Sequence, residues 1–298
     1  MEFGHLDDLS GVDWPLPPDD LKRMASRSVS QEARIFFGSP AWGCKQWLGK
    51  IYPPKTPTEK FLSYYSRNFT CIELNTSHYR IPSVEVIKEW LAEVPKDFIF
   101  CPKLHKDISH SRFGLTDKAL LKSWFDFLEN VGQNLGPCFI QFHERFSYHD
   151  KGFLFEFLEM WPREFKLSVE LRHSSWFQNN TILPALGDYL HKKGIGLVIT
   201  DVAGRRDVLH GSVTAPWTMI RLIGNDLAKS DSERLTTWAK RLKQWQMQGV
   251  DSIYFFLHQP DDIWTIEFAQ MAEKIFDEEG FSDIPHFKIE KQRDLFNL

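Results

Sequence analysis

Three carboxylates, Glu73, Glu170 and Asp201, and three cations, Lys103, Arg172 and Arg221, stand late in apolar runs of strand length. The runs are "CIELN" from Cys71, "FIFCPK" from Phe98, "SVELR" from Ser168, "GLVITD" from Gly196 and "WTMIRL" from Trp217. A charge inside a buried strand is costly unless it is paired or used. Side chains along a strand alternate between two faces. Ile72 and Leu74 therefore share one face, and Glu73 and Asn75 share the other. Val169 and Leu171 oppose Glu170 and Arg172 in the same way. The rule also groups Lys103 with Cys101, Gln141 with Phe139, Asp201 with Ile199, Arg221 with Met219, and His258 with Phe256 and Tyr254. In each run the apolar residues come first and the polar ones last.

Such a set of groups suits anion chemistry better than metal chemistry. A divalent-cation site built on carboxylates carries a local anionic excess, and here three cations would oppose the ion. Arginine forks hold phosphate or carboxylate groups bidentately, which makes Arg172, Arg221 and Lys103 a clamp for a small anion, with Asn75, Gln141 and His258 as neutral contacts. Carboxylates in different electrostatic settings can divide acid and base roles, so Glu73, Glu170 and Asp201 are candidates to move a proton. Among the loop histidines His78, His105, His110 and His173, the strongest acid-base candidate is His110. Trp42 and Tyr79 follow strand ends and are candidates for an aromatic rim that stacks on a sugar ring or base. No cofactor is expected, and a divalent metal enters only under a rival reading. The bland reading of the same residues is an ion-pair network that plugs the end of the sheet without binding anything.

Positioning these residues requires a particular architecture. Strand-length runs "IFFGS", "CIELN", "FIFCPK", "CFIQF", "KLSVELR", "GLVITD", "WTMIRL" and "SIYFFLH" alternate with segments whose apolar residues recur every three or four positions. That periodicity marks helices packed on a sheet, and the alternation marks a parallel sheet. Eight repeats predict a single (β/α)8 barrel, in which functional residues collect at the carboxyl ends of the strands. The sixth connection, "VAGRRDVLHGSVTAP", is too short and glycine-rich for a full helix. The expected boundaries are a loose or peripheral N-terminal extension over 1–32, a barrel over 33–280 and a C-terminal tail over 281–298.

The 298 residues carry a formal net charge of −4, which gives no global support for nucleic-acid binding. Four widely spaced cysteines without a Cys-x-x-Cys pair read as buried free thiols. The first residues lack the basic start and apolar middle of a secretory signal, and no apolar run approaches the ~20 residues a membrane span needs. The expected location is the cytoplasm, with no membrane association.

Several longer motifs also resemble the YecE-like family, known as domain of unknown function 72, from Phe36 to about Ala272. They are "GSPAWGCKQWLGKIYP", "YYSRNFTCIELNTSHYR", "FIFCPKLHKDISH", "LGPCFIQF", "VELRHSSWF", "LVITD" and "MIRLIG". The chain departs from the family pattern at "FHERF" after the fourth run, at Ile223–Gly224 and at Leu257–His258. The resemblance implies a TIM-barrel-like fold with a polar pocket at the strands' carboxyl ends, and it brings no particular reaction with it. The leading functional expectation is an enzyme, a hydrolase or a lyase or isomerase, that acts on a small phosphate- or sugar-containing anion. One rival is a metal-assisted phosphodiester hydrolase acting on nucleic acid, steered by Arg205, Arg206 and "HKDISHSR". The other is a ligand-binding or interaction module without turnover.

Overall fold

The strand-length runs form parallel strands in a computed structural model that describes residues 4–24, 33–282 and 284–287. They are β1 (Arg34–Gly38), β2 (Cys71–Leu74), β3 (Ile99–Pro102), β4 (Cys138–Gln141), β5 (Leu167–Glu170), β6 (Gly196–Asp201), β7 (Trp217–Ile223) and β8 (Ser252–His258). Helices follow them in turn: α1 (Phe61–Tyr65), α2 (Val84–Glu93), α3 (Lys118–Val131), α4 (Lys151–Met160), α5 (Pro184–Lys193), α6 (Lys229–Gln246) and α7 (Thr265–Glu278). The only strand among them without a following α-helix is β6, where a 3₁₀ segment, Ala203–Val208, makes the connection. The sequence marks the helix ends clearly. The Asp117 carboxylate caps α3 by accepting from the Ala119 and Leu120 amides, and Gly194 closes α5 at a φ of 69° that favours glycine.

The closed eight-stranded barrel is met only in part. The fold is mixed α/β with a mostly parallel central sheet, but the regular ladder does not close. Six strands pair in the order β1-β8-β7-β6-β5-β4, and β2 pairs with β3 separately. Single bonds cross the two seams: Thr70 N donates to Phe37 O and Glu73 N to Ser39 O at one, Leu104 N to Phe139 O at the other. The strands flanking these seams are four or five residues long, so isolated bonds replace a ladder there.

The sheet has two apolar faces. Phe36, Cys71, Cys101, Phe139, Met219 and Phe256 pack together on the inner face, separate from the larger cluster beneath the helices. A fully buried side chain of this size contributes roughly 1.5–3 kcal/mol. These inner residues come early in their strands and leave the late positions to polar groups. All four cysteines are free and buried. No helix among the described residues is long and apolar enough to cross a membrane.

Over residues 4–24 the N-terminal segment packs on the outside of the sheet and its connections. Asp19–Asp20 pairs in parallel with Gly211–Ser212, beside the connection that lacks a helix. Leu21 and Met24 are buried. Arg23, also buried, donates to Asp20 at 3.0 Å and to Asp188 at 2.9 Å. Trp245 Nε1 donates to Asp19 at 3.0 Å, and Arg241 donates to the Pro17 carbonyl. At the other end Phe281, Ile284 and Phe287 are buried. The rest of the expected tail, 288–298, lies outside the described residues.

Candidate functional site

Inward-facing late positions of several strands converge on one guanidinium. Arg221, at 2% exposure, ends the inner face of β7. Its Nε and Nη2 donate to the two carboxylate oxygens of Glu73 on β2 at 2.9 and 3.0 Å. Its Nη1 reaches both oxygens of Glu170 on β5 at 3.2–3.3 Å. Glu170 also accepts from Arg172 Nε at 2.6 Å, Gln141 Nε2 at 2.7 Å and Thr200 Oγ1 at 3.0 Å. Glu73 accepts from Asn75 Nδ2 at 3.0 Å and has His258 Nε2 at 2.8 Å. The set ends at Lys103, whose Nζ donates to Gln141 Oε1 at 2.8 Å. Each carboxylate thus has its acceptor capacity engaged, which a buried charge requires.

This geometry reassigns the chemistry. Burial alone would raise the Glu73 carboxyl, but Arg221 and His258 outweigh it and hold it well below the usual range. Burial is likewise outweighed at Glu170, where Arg172 and Arg221 bring the pKa down to about 2. Both are fixed carboxylates, which disfavours them as general acids near neutrality. Burial lowers Lys103 most, with help from Arg221 and against the pull of Glu73 and Glu170, to about 8. His110 is lowered by partial burial of its ring and then by Lys103, His143 and Arg172. Lys103 is thereby brought close to the neutral range, while His110 is held below its ordinary value.

Asp201 stands elsewhere. It shares the outer face of β6 with Leu197 and Ile199 and points under the helices, where it accepts from Arg206 Nη1, from Arg234 Nη1 at 3.3 Å and from Trp238 Nε1 at 2.7 Å. Thr200 takes the inner position, in register with Arg221 on β7. The expectation that Asp201 joins the inner ring is corrected, and the count changes with it. The ring holds two carboxylates, Glu73 and Glu170, against three cations, Lys103, Arg172 and Arg221, an excess of one positive charge. Lys103 makes no ion pair with a carboxylate among the described residues.

Loops after β3 and β4 enclose a cavity of about 210 Å³ lined by Ser109, His110, Ser111, Arg112, Leu115, His143, Arg145, Phe146 and Asp150. The rings of His78, His110 and His143 form a row with centroids 5.2 and 6.1 Å apart. His78 is buried and lies 2.7 Å from the Leu104 carbonyl. Burial is the main cause that takes it down to about 4, and Leu104 opposes it.

The model of the family described as protein of unknown function DUF72 matches residues 36–286. The chain belongs to the DUF72 family. It is 29% identical to the UPF0759 protein YecE of Escherichia coli strain K12 over 245 residues, 76% of this chain and 87% of that protein. It is 35% identical to the UPF0759 protein YunF of Bacillus subtilis over 79 residues, 26% of this chain and 27% of that one. The fold is similar to that of a DUF72 protein of Enterococcus faecalis, with a TM-score of 0.65 at 18% identity over 83% of this chain and 98% of that one. A DUF72 protein of Thermotoga maritima gives 0.60 at 22% identity, over 80% and 99%.

Other expected residues of this DUF72 chain scatter around the ring. Tyr79 is 69% exposed beside His78. Trp42 is half-buried and meets Trp90 edge-on at 5.4 Å. Three further aromatic residues of these loops, Trp47, Tyr52 and Trp176, are buried in the core. The basic pair Arg205 and Arg206 does not face outward as a steering patch. Arg205 is engaged with Asp207, Glu144 and the Arg172 carbonyl. Arg206 holds Asp201 and the carbonyls of Asp13, Trp14 and Pro15. Sequence reasoning passed over Thr200, Arg145 and His143. β6 is apolar on both faces, so alternation offered no polar parity to follow, and the other two lie in a loop without a strand pattern.

Proposed function

We propose that this DUF72 protein is an enzyme that binds a small phosphate- or sugar-containing anion where its parallel strands end. The eight strands act together as one barrel in this reading, with the site on its carboxyl-end rim. The single observation that carries it is the unbalanced ring. Glu73 and Glu170 are tied up by Arg221 and Arg172, while among the described residues the Lys103 amine is held only by the neutral Gln141 amide. A half-buried cation without a carboxylate lacks charge compensation, and an anionic ligand supplies it. Arg221 is the tie that spaces the two carboxylates. Lys103 and Arg172 are the clamp. Lys103 or His110 moves the proton in this reading: burial brings Lys103 down to about 8 and lowers His110 from its ordinary value.

The metal-assisted hydrolase reading draws less support. Among the described residues no group of three or more His, Cys, Asp or Glu is arranged to hold a metal ion, and the basic loop that would steer nucleic acid is engaged internally. A binding module without turnover shares the proposed site. Product formation in a screen of phosphorylated and carboxylated metabolites separates it from an enzyme.

The test is calorimetric titration with inorganic phosphate at pH 7 and fixed salt. A charge-assisted hydrogen bond is worth roughly 1.5–3 kcal/mol, so Lys103→Gln should weaken binding about tenfold or more. An unchanged affinity in Lys103→Gln, with Arg172→Ala also silent, removes the reading.

A further inference from the structure

We infer that the substrate carries a second anionic group, seated in the cavity between the loops after β3 and β4 and held by Arg145 with His143 and His110. The inference rests on the anion site proposed above and extends it outward. Arg145 lines the cavity and is exposed, and its guanidinium makes no hydrogen bond or ion pair among the described residues. Its backbone is nevertheless fixed, because Arg145 N donates to His143 Nδ1 at 3.1 Å. The carboxylates that could neutralise it are committed elsewhere. Asp150 pairs with Arg112 and accepts from the Ser147 amide, and Glu144 faces Arg205 at 3.7 Å.

The cavity is continuous in chemistry with the ring. Lys103 follows β3 and is bonded to Gln141, the last residue of β4, and the cavity walls are the loops that leave these two strands. His110 lies between them, with its ring 6.1 Å from that of His143, and after burial the nearby Lys103, His143 and Arg172 lower it further. In the proposed pose one anion lies against Lys103 and Arg172, and the molecule reaches past His110 and His143, which line the cavity of about 210 Å³, to Arg145 on its wall. Planar guanidinium suits a terminal phosphate or carboxylate there. The substrate class is thus a small organic molecule with anions at both ends, a bisphosphate or a phosphorylated acid.

The experiment compares methylphosphonate with a series of linear diphosphonates of increasing chain length, titrated into the full chain at constant salt. One length should bind about tenfold more tightly than methylphosphonate, the gain of one further charge-assisted contact. Arg145→Ala should abolish that gain and leave methylphosphonate unchanged, while Lys103→Gln weakens both. Arg145 is exposed, so its replacement leaves the core untouched. Equal affinity across the series, a gain that survives in Arg145→Ala, or an equal loss for both ligands in that variant overturns the second subsite. If only the Arg145 arm fails, the first anion site stands. If Lys103→Gln leaves every affinity unchanged, the site on which both readings depend is lost.

Discussion

Two buried ionic networks lie at the same end of this sheet, one on each face. The outer network joins Asp201 and Asp231 to Arg206 and Arg234, with Trp238 Nε1 as a further donor. Its two carboxylates match its two guanidinium groups, and the N-terminal segment covers it, with the Trp14 ring 4.9 Å from the Arg234 guanidinium. The inner network joins Glu73 and Glu170 to Arg221, Arg172 and Lys103, and it lies against loops that enclose a cavity. Among the described residues one network pairs each guanidinium with carboxylates, while the other includes a Lys103 amine that meets a neutral amide. Buried ions are therefore no sign of a site by themselves. The uncompensated cation is what distinguishes the inner face.

The comparison breaks most visibly when each network loses a carboxylate. Removing one partner of a buried pair costs about 3–5 kcal/mol. Asp201→Leu and Glu73→Gln should therefore both lower the thermal midpoint, by ~2 °C or more per kcal/mol for a chain of this size. Calorimetry should show similar losses, but phosphate titration should separate the two. Asp201→Leu leaves affinity unchanged in the folded protein, while Glu73→Gln raises it by adding to the positive excess. Parallel behaviour of the two variants toward phosphate would erase the distinction.

Acid should attack the inner network in a defined window. Glu170 is held near 2 against an ordinary 4.5, so on acidification the unfolded chain takes up the proton first. The stability this group contributes is complete above about 4.5 and is lost as the pH falls through about 2, a few kcal/mol in all. Denaturant midpoints across that window should fall in the wild type and change less in Glu170→Gln.

A smaller effect runs in the alkaline direction. Lys103 loses its proton in the folded protein near 8, so phosphate binding should weaken as the pH rises through that value, and Lys103→Arg should move the decline upward. Stability changes oppositely, because between about 8 and the ordinary 10.5 the unfolded chain binds more protons than the folded one, and folding gains as the pH rises. The least of the expected changes is Trp14→Ala, which removes a ring beside Arg234 and should cost roughly 0.5–2 kcal/mol with no effect on phosphate affinity.

Much of the inner ring was legible because alternation in "CIELN" and "SVELR" sets apolar residues on one parity and charges on the other, and in "WTMIRL" it puts the lone charge late in the strand. Glu73, Glu170, Arg172, Arg221, Gln141, Lys103 and His258 meet as that pattern demands. "GLVITD" has no such contrast, and the pairing of β6 with β7 turns Thr200 inward instead of Asp201. The outer network was invisible for another reason: its donors come from α6 and the 3₁₀ segment and further acceptors from the N-terminal segment, which no single period relates. The helical order and the short sixth connection follow from local periodicity. Closure of the ladder depends on hydrogen bonds between distant short strands, which the period of any one strand does not report.

The parallel pair of Asp19–Asp20 with Gly211–Ser212 has a kinetic corollary. Ser212 Oγ meets the Asp20 carboxylate across 192 residues of chain, so Asp19–Asp20 has no edge to dock on until those intervening residues have been made. Long-range pairings of this kind form slowly because the intervening loop must close first. In a growing chain, Asp19–Asp20 must therefore wait for Gly211–Ser212 before it can take its seat.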